Sequence, residues 1–436
     1  LMHRAFRASI FHCIDDPGAA SSPAACEYFE DGLLVVRDGA IEAVGNAETL
    51  LRGLQPATRI EDFSGKLIQP GLVDCHVHFA QLDIIASYGT QLLDWLSRYA
   101  YVEERRFAAR EYAAQVANAF LDELLKNGTT SALVFATVFP QSADAFFEAA
   151  AERGMRLVAG KVLMDRNCPE ELCDDAESAY AESQALIERW HGHGRLGYAI
   201  TPRFALTSTS EQLEAAGKLA ADYPDTWIHT HLAENPDEVA EIARLFPERR
   251  SYLDVYDHFG LLRDRAVFAH CLHLDDADRE LMAARGGAVA FCPTSNLFLG
   301  SGLFDLQSMA ASGVPVGLAT DVGGGTSLSM LRTMGEAYKV LQLQQQTLPA
   351  SRALYLGTLG AARALHLDEH IGNFAVGKEA DFIVIDPQGS SISARRANAA
   401  TSVDELLFSL LFLGDDRNIA ATYLQGRAAK GQDSLS

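Results

Sequence analysis

Between about Leu67 and Phe374, short continuous apolar runs alternate with stretches in which apolar residues recur every three or four positions. The first pattern marks buried strands and the second amphipathic helices. The apolar runs predict eight strands: Leu72–Phe79, Ser131–Val138, Arg156–Met164, Leu196–Ile200, Thr226–His231, Ala266–His270, Ala288–Phe291 and Val314–Thr320. The helical spacing predicts helices over Phe107–Lys126, Asp144–Arg153, Ala176–Trp190 and Ser210–Ala221, each falling ahead of the next strand. Such alternation points to βα units and a parallel sheet, and eight units can close into a (β/α)8 TIM barrel. A doubly wound open sheet is the alternative, but the glycine-rich dinucleotide turn that often marks it is missing.

The two ends read differently. Leu33-Leu34-Val35-Val36 and Ile41-Glu42-Ala43-Val44 flank Asp38-Gly39 as a hairpin. Near the other end, Ala380–Asp386 is a strand closed by Pro387, and Thr422-Tyr423-Leu424 faces Arg427-Ala428 across Gln425-Gly426. Neither end can bury a core alone. Together they predict a small β-sandwich domain built from residues 1–66 and 376–436, flanking an α/β barrel over residues 67–375.

Composition narrows the function classes. At 436 residues and 48% hydrophobic content, the chain has core material for a large domain and a smaller one. Its formal charge of −22, from 36 basic and 58 acidic residues, leaves no cationic stripe for nucleic acid or an anionic membrane. No apolar run reaches the length of a membrane span, and the start of the chain lacks the apolar core of a signal peptide, so the cytoplasm is the expected location. Seven scattered cysteines without a Cys-x-x-Cys pair fit reduced thiols rather than a disulfide framework or a zinc ribbon. The Pro-Cys-x-x-Cys signature of one type of zinc-dependent base deaminase is also absent.

In a barrel the chemistry sits at the carboxyl ends of the strands. His76 and His78 lie two apart on the first strand and project from one face. The fifth strand ends in Thr230-His231-Leu232-Ala233-Glu234, the sixth in His270-Cys271 and the eighth in Thr320-Asp321. His76, His78, His231 and Asp321 can therefore surround one zinc ion. Asp321 in isolation reads as a turn residue ahead of Gly323-Gly324-Gly325, whose glycines let backbone pass near a ligand and whose Ser327 can cap a following helix. His229 reads as a donor behind the ligands or as interior packing, Lys161 as a structural or charge-balancing group, and Asn296 as a pocket wall or helix cap.

These residues resemble the amidohydrolase superfamily of metal-dependent barrel hydrolases: Pro70-Gly71-Leu72-Val73-Asp74-Cys75-His76-Val77-His78, Thr230-His231-x-x-Glu234, His270-Cys271 and Asp321. Within it, Phe79-Ala80-Gln81, Thr201-Pro202-Arg203-Phe204-Ala205, Glu234-Asn235 and the run from Asp321 to Ser327 are similar to the guanine deaminase family. Two-metal members carry a bridging lysine at the end of the fourth strand, and Tyr198–Phe204 has none. The resemblance thus implies one ion, zinc, with iron as the alternative.

It also implies a division of labour. Asp321 accepts a proton from the attacking water, His270 orients that water, and Glu234 protonates ring nitrogen N3 of guanine, the products being xanthine and ammonia. A helix N-terminal carboxylate is the plainer reading of Glu234. Arg203 would donate to O6 of guanine, Gln81 would meet a ring edge and Phe204 would face the flat base. A rim salt bridge for Arg203 and a core position for Phe204 are the plainer readings. Family members are commonly homodimers. The same metal set could serve another amino- or chloro-substituted ring, such as a triazine, 8-oxoguanine or an adenosine-type nucleoside, and a barrel of this kind can also be a non-catalytic assembly protein.

Overall fold

The computed structural model describes residues 3–430, so residues 1–2 and 431–436 of the expected end segments lie outside the described residues. The chain divides into two compact units: one takes Cys75–Asp122 and Ala132–Leu328, the other joins the chain up to Asp74, Glu123–Ser131 and the chain from Ser329.

Eight barrel strands among the described residues follow one another in sequence: Leu72–His78, Thr129–Phe135, Arg156–Gly160 continued by Val162–Leu163, Leu196–Pro202, Trp227–Leu232, Ala266–His270, Ala288–Phe291 and Val316–Leu318. The ring closes where the chain after the eighth strand meets the first. Asp321 N–H donates to His76 O at 2.9 Å, and His78 N–H donates to Val322 O at 2.9 Å. The apolar runs mark strands because both faces are covered, and the first, second, fourth and fifth strands are buried at every position.

Several boundaries differ from expectation for local reasons. The expected third strand, Arg156–Met164, is interrupted at Lys161, yet both pieces pair with the fourth strand. A Cβ at Gly160 would collide with Ala199 O, so only glycine allows this approach. The helix expected from Phe107 begins at Arg110, because Ala109 is extended and leaves Phe107 in a separate 3-10 turn. Pro140 starts the next helix four residues before Asp144, as a proline at the first helical position can. Ser329, rather than Ser327, caps Met330–Gln342 by accepting from Arg332 N–H. The short helices Leu92–Trp95, Leu96–Ala100 and Tyr101–Glu104 have too few turns to leave a periodic signal.

The expectation of seven free thiols is corrected as well. Cys168 and Cys173 form a disulfide, because the 3-10 turn Glu170–Leu172 folds the intervening loop back and brings their Cα atoms to 6.3 Å. Outside that disulfide, Cys13, Cys75, Cys271 and Cys292 are buried thiols and Cys26 is a half-buried one.

Lys161 points away from any ligand function. Its ammonium is fully buried and lies 2.7 Å from Asp174 and 3.1 Å from Glu182. Removing one member of a buried ion pair strands the other charges, so Lys161→Met is expected to lower stability by about 3 kcal/mol, measured by chemical denaturation.

In the other unit, seven strands form one mixed sheet in the order Arg427–Lys430, Ile419–Leu424, Phe382–Ile385, Arg59–Pro70, His3–Cys13, Cys26–Arg37, Ala40–Asn46. Both chain ends contribute to it: Ile383 pairs with Gln69 and Val384 with Ile68. Alternate residues serve opposite faces. Phe6, Leu34 and Val36 join Ile68, Phe382 and Tyr423 in one apolar cluster, while Ala5, Leu33 and Val35 join Ala47 in another.

Candidate active site

The strand ends bring the expected polar residues into one buried space. His76, His231, His270 and Asp321 each offer a donor atom, all within 4.8 Å of one another. His78 joins them, its Nε2 lying 3.3 Å from His76 Nε2 and 3.4 Å from Asp321 Oδ1. His76 Nε2 lies 3.0 Å from the same Asp321 oxygen. Three chain turns that point these groups inward adopt left-handed backbone at residues other than glycine: Ala233, His270 and Asp321 have φ of 51°, 80° and 49°. Such conformations are costly and collect at functional sites. Behind Asp321, a Cβ at Gly325 would collide with Thr320 O, so the turn closes only with glycine there.

Groups behind the site decide which nitrogen is free. His231 Nδ1 lies 2.7 Å from Arg203 O, and a carbonyl can only accept, so Nδ1 carries the proton and Nε2 is bare. His229 Nε2 stands 2.7 Å from His76 Nδ1, where it can accept and leave His76 Nε2 bare toward Asp321. His229 is therefore the supporting partner behind His76 rather than simple packing. Asn296 Nδ2 donates to His270 Nδ1 at 2.9 Å, which puts the His270 proton on Nε2.

Electrostatics favour the same protonation states. Burial holds His78 down to about 4 and His270 down to about 3, and with the neighbouring histidines it holds His229 and His231 well below the usual imidazole range. Burial opposes ionisation of Asp321, but His76, His78 and His270 outweigh it and hold the carboxyl well below its ordinary value. Bare imidazole nitrogens facing an ionised carboxylate form the donor set of a metal centre, so the residues present fit a bound cation. His78 Nδ1 and His270 Nε2, both buried, find no hydrogen-bond partner among the described residues. His229→Ala removes the group that orients His76. The expected outcome is a 10- to 100-fold loss of metal affinity, the usual cost of losing an outer partner, read by competition with a chromogenic chelator.

Glu234 Oε2 lies 3.2 Å from His270 Nε2, at an angle too oblique for a hydrogen bond. Burial raises its carboxyl well above the ordinary range, and Asp321 and Glu238 add to the effect while Arg203 opposes it. Its backbone is pinned by a neighbour that the pattern of the sequence did not reveal. Glu238, at the third position of the helix Pro236–Leu245, accepts from Glu234 N–H at 3.2 Å, Asn235 N–H at 3.1 Å and Tyr252 Oη at 2.7 Å.

Gln81, Arg203 and Phe204 line one cavity together with His78, His231, Glu234 and Asp321. Gln81 Oε1 accepts from Gly323 N–H at 3.0 Å, which leaves its Nε2 as the group free for a ligand. Phe204 is buried and meets His231 edge-on at 6.0 Å. Arg203 does make a salt bridge: Nη1 donates to both oxygens of Glu104, at 2.8 and 3.0 Å. Its Nη2 finds no partner among the described residues. Leu92, Trp95 and Leu96 add an apolar wall from the short helices. His273 stands apart, bound to Ser301 O at 3.1 Å.

Comparison with known proteins identifies the relatives of this chain. Residues 67–429 match the Amidohydrolase family. The chain is 50% identical to the guanine deaminase of Escherichia coli K12 over 414 residues, 95% of this chain and 94% of that one. The solved structure of E. coli guanine deaminase superposes with a TM-score of 0.96 at 48% identity, covering 98% of this chain and 100% of the other. That of the C. acetobutylicum enzyme, determined with guanine in its active site, gives a TM-score of 0.87 at 28% identity over 98% and 99% of the two chains.

Proposed function

Since the chain belongs to the amidohydrolase family and, within it, to the guanine deaminases, we infer that this site hydrolyses guanine to xanthine and ammonia. The observation that carries the reading is the cluster of His76, His78, His231, His270 and Asp321 beside a cavity that Glu234 and Arg203, with its unpartnered Nη2, also line.

His76, His78, His231 and Asp321 would hold one zinc ion. Imidazole-rich sets suit zinc, with iron next. A single ion is favoured because no lysine stands at the end of the fourth strand and Lys161 is committed to Asp174 and Glu182. When bound, zinc supplies the Lewis acidity that makes water a nucleophile at neutral pH. Asp321 takes the proton of the attacking water, and His270, protonated on Nε2 by its bond to Asn296, orients the water oxygen. The raised carboxyl of Glu234 is the neutral form that can deliver a proton to N3 as oxygen bonds to C2. The proton from Asp321 then passes to the amino group, the C2–N bond breaks as the C2 hydroxyl gives its proton back to Glu234 and becomes the carbonyl, and ammonia leaves.

Arg203 Nη2 donates to O6, Gln81 Nε2 meets an acceptor on the ring edge, and Phe204 covers a face of the base. A pocket whose own buried donors need these acceptors discriminates against bases that lack them. No helix among the described residues is long and apolar enough to cross a membrane. We propose that the enzyme acts on the free base in the cytoplasm as a homodimer.

The test is ammonia and xanthine release from guanine, with adenine, cytosine and 8-oxoguanine alongside. Turnover of guanine well above the others is expected; preference for any of the others would replace this substrate assignment.

A further inference from the structure

The Arg203 guanidinium is buried, yet among the described residues only one carboxylate holds it. Glu104 takes both Nη1 donations and is itself buried, and the Tyr101 ring lies 5.1 Å from the guanidinium carbon. The adjacent Glu103 does not share the load, being paired with Arg106 at 3.2 Å and with Tyr112. After Glu104 and the Tyr101 phenol, the next group acting on Arg203 is the carboxylate of Asp321, which the histidines claim. A single cation matched by a single anion leaves Nη2 as a strong donor with no net charge behind it.

We propose that Glu104 determines which charge state of a ring the cavity accepts: by cancelling Arg203 it makes the recognition of O6 selective for neutral lactams and keeps anionic rings from being trapped. This rests on the reading that guanine O6 meets Arg203. Guanine is a neutral aminolactam near neutral pH, whereas xanthine, with a second ring carbonyl, is the stronger acid and is largely anionic at mildly alkaline pH. An uncompensated guanidinium in a low-dielectric pocket would hold that anion tightly and slow release. The neutral pair binds the substrate through direction and lets the product go. Glu104 thus acts through Arg203 as a positioning and specificity residue.

The experiment compares the zinc-loaded wild type with Glu104→Gln and Arg203→Gln at mildly alkaline pH, measuring KM for guanine and the inhibition constant for xanthine. Glu104→Gln leaves one net positive charge; the expected result is a guanine KM roughly tenfold higher and a xanthine inhibition constant roughly tenfold lower, opposite shifts of about 1.4 kcal/mol each. Arg203→Gln leaves a net negative charge and is expected to weaken xanthine more than guanine. Metal content and the thermal transition of each variant establish that it is folded. If Glu104→Gln does not fold, Arg203→Gln decides alone. Shifts of both ligands in the same direction and by the same factor, or no shift, would overturn the proposal and make the pair purely structural. Failure of the wild type to deaminate guanine would instead remove the substrate assignment, which is a separate result.

Discussion

Glu234→Gln is expected to retain its metal and to lose about three orders of magnitude in kcat, with KM for guanine changed by less than about threefold. The amide keeps the volume and hydrogen-bonding reach of the carboxyl but cannot release a proton to N3. The side chain is not among the metal donors, and its nearest contact is His270 Nε2 at 3.2 Å. Its environment is built for the neutral acid: burial first, then the negative charges of Asp321 and Glu238. Because the backbone of Glu234 is pinned by Glu238 rather than by its own side chain, the substitution should leave the turn intact. Steady-state kinetics with metal analysis checks this, and retained turnover would return Glu234 to a helix-terminal role.

Asp321→Asn is expected to act on both quantities. The carboxylate faces His76 and His78 through one oxygen, at 3.0 and 3.4 Å, and His270 through the other, at 3.6 Å. A neutral amide is a weaker metal donor and a poor proton acceptor, so both metal retention on dialysis and turnover fall. The loss in kcat should reach at least about three orders of magnitude even when excess zinc is supplied. Recovery of full activity with added zinc would show that Asp321 only binds metal and that the water proton goes elsewhere.

The cluster at the strand ends was legible in the sequence because barrel geometry turns distant strand ends into neighbours. His76, His78, His231, His270 and Asp321 sit where apolar runs stop, and stopping points are visible in a one-dimensional pattern. The supporting partners were not. Glu104 meets Arg203 across a sequence separation of 99, from a four-residue helix with no periodicity of its own. Asn296 reaches His270 from a helix one strand further along, and nothing in its spacing distinguishes it from a cap. In sequence Arg203 fits either a ligand donor or a salt bridge; one nitrogen makes the bridge and the other has no partner among the described residues. The disulfide leaves no such signal, because a 3-10 turn joins Cys168 to Cys173 across a spacing unlike a metal-type Cys-x-x-Cys pair.

The central claim is that His76, His78, His231 and Asp321 hold one ion that the deamination of guanine requires. Titrating zinc into chelator-stripped enzyme while following xanthine formation tests it most directly. Activity should rise from near zero in proportion to added zinc and level off at one equivalent per chain. Turnover that persists without metal, or a break at two equivalents, would contradict it.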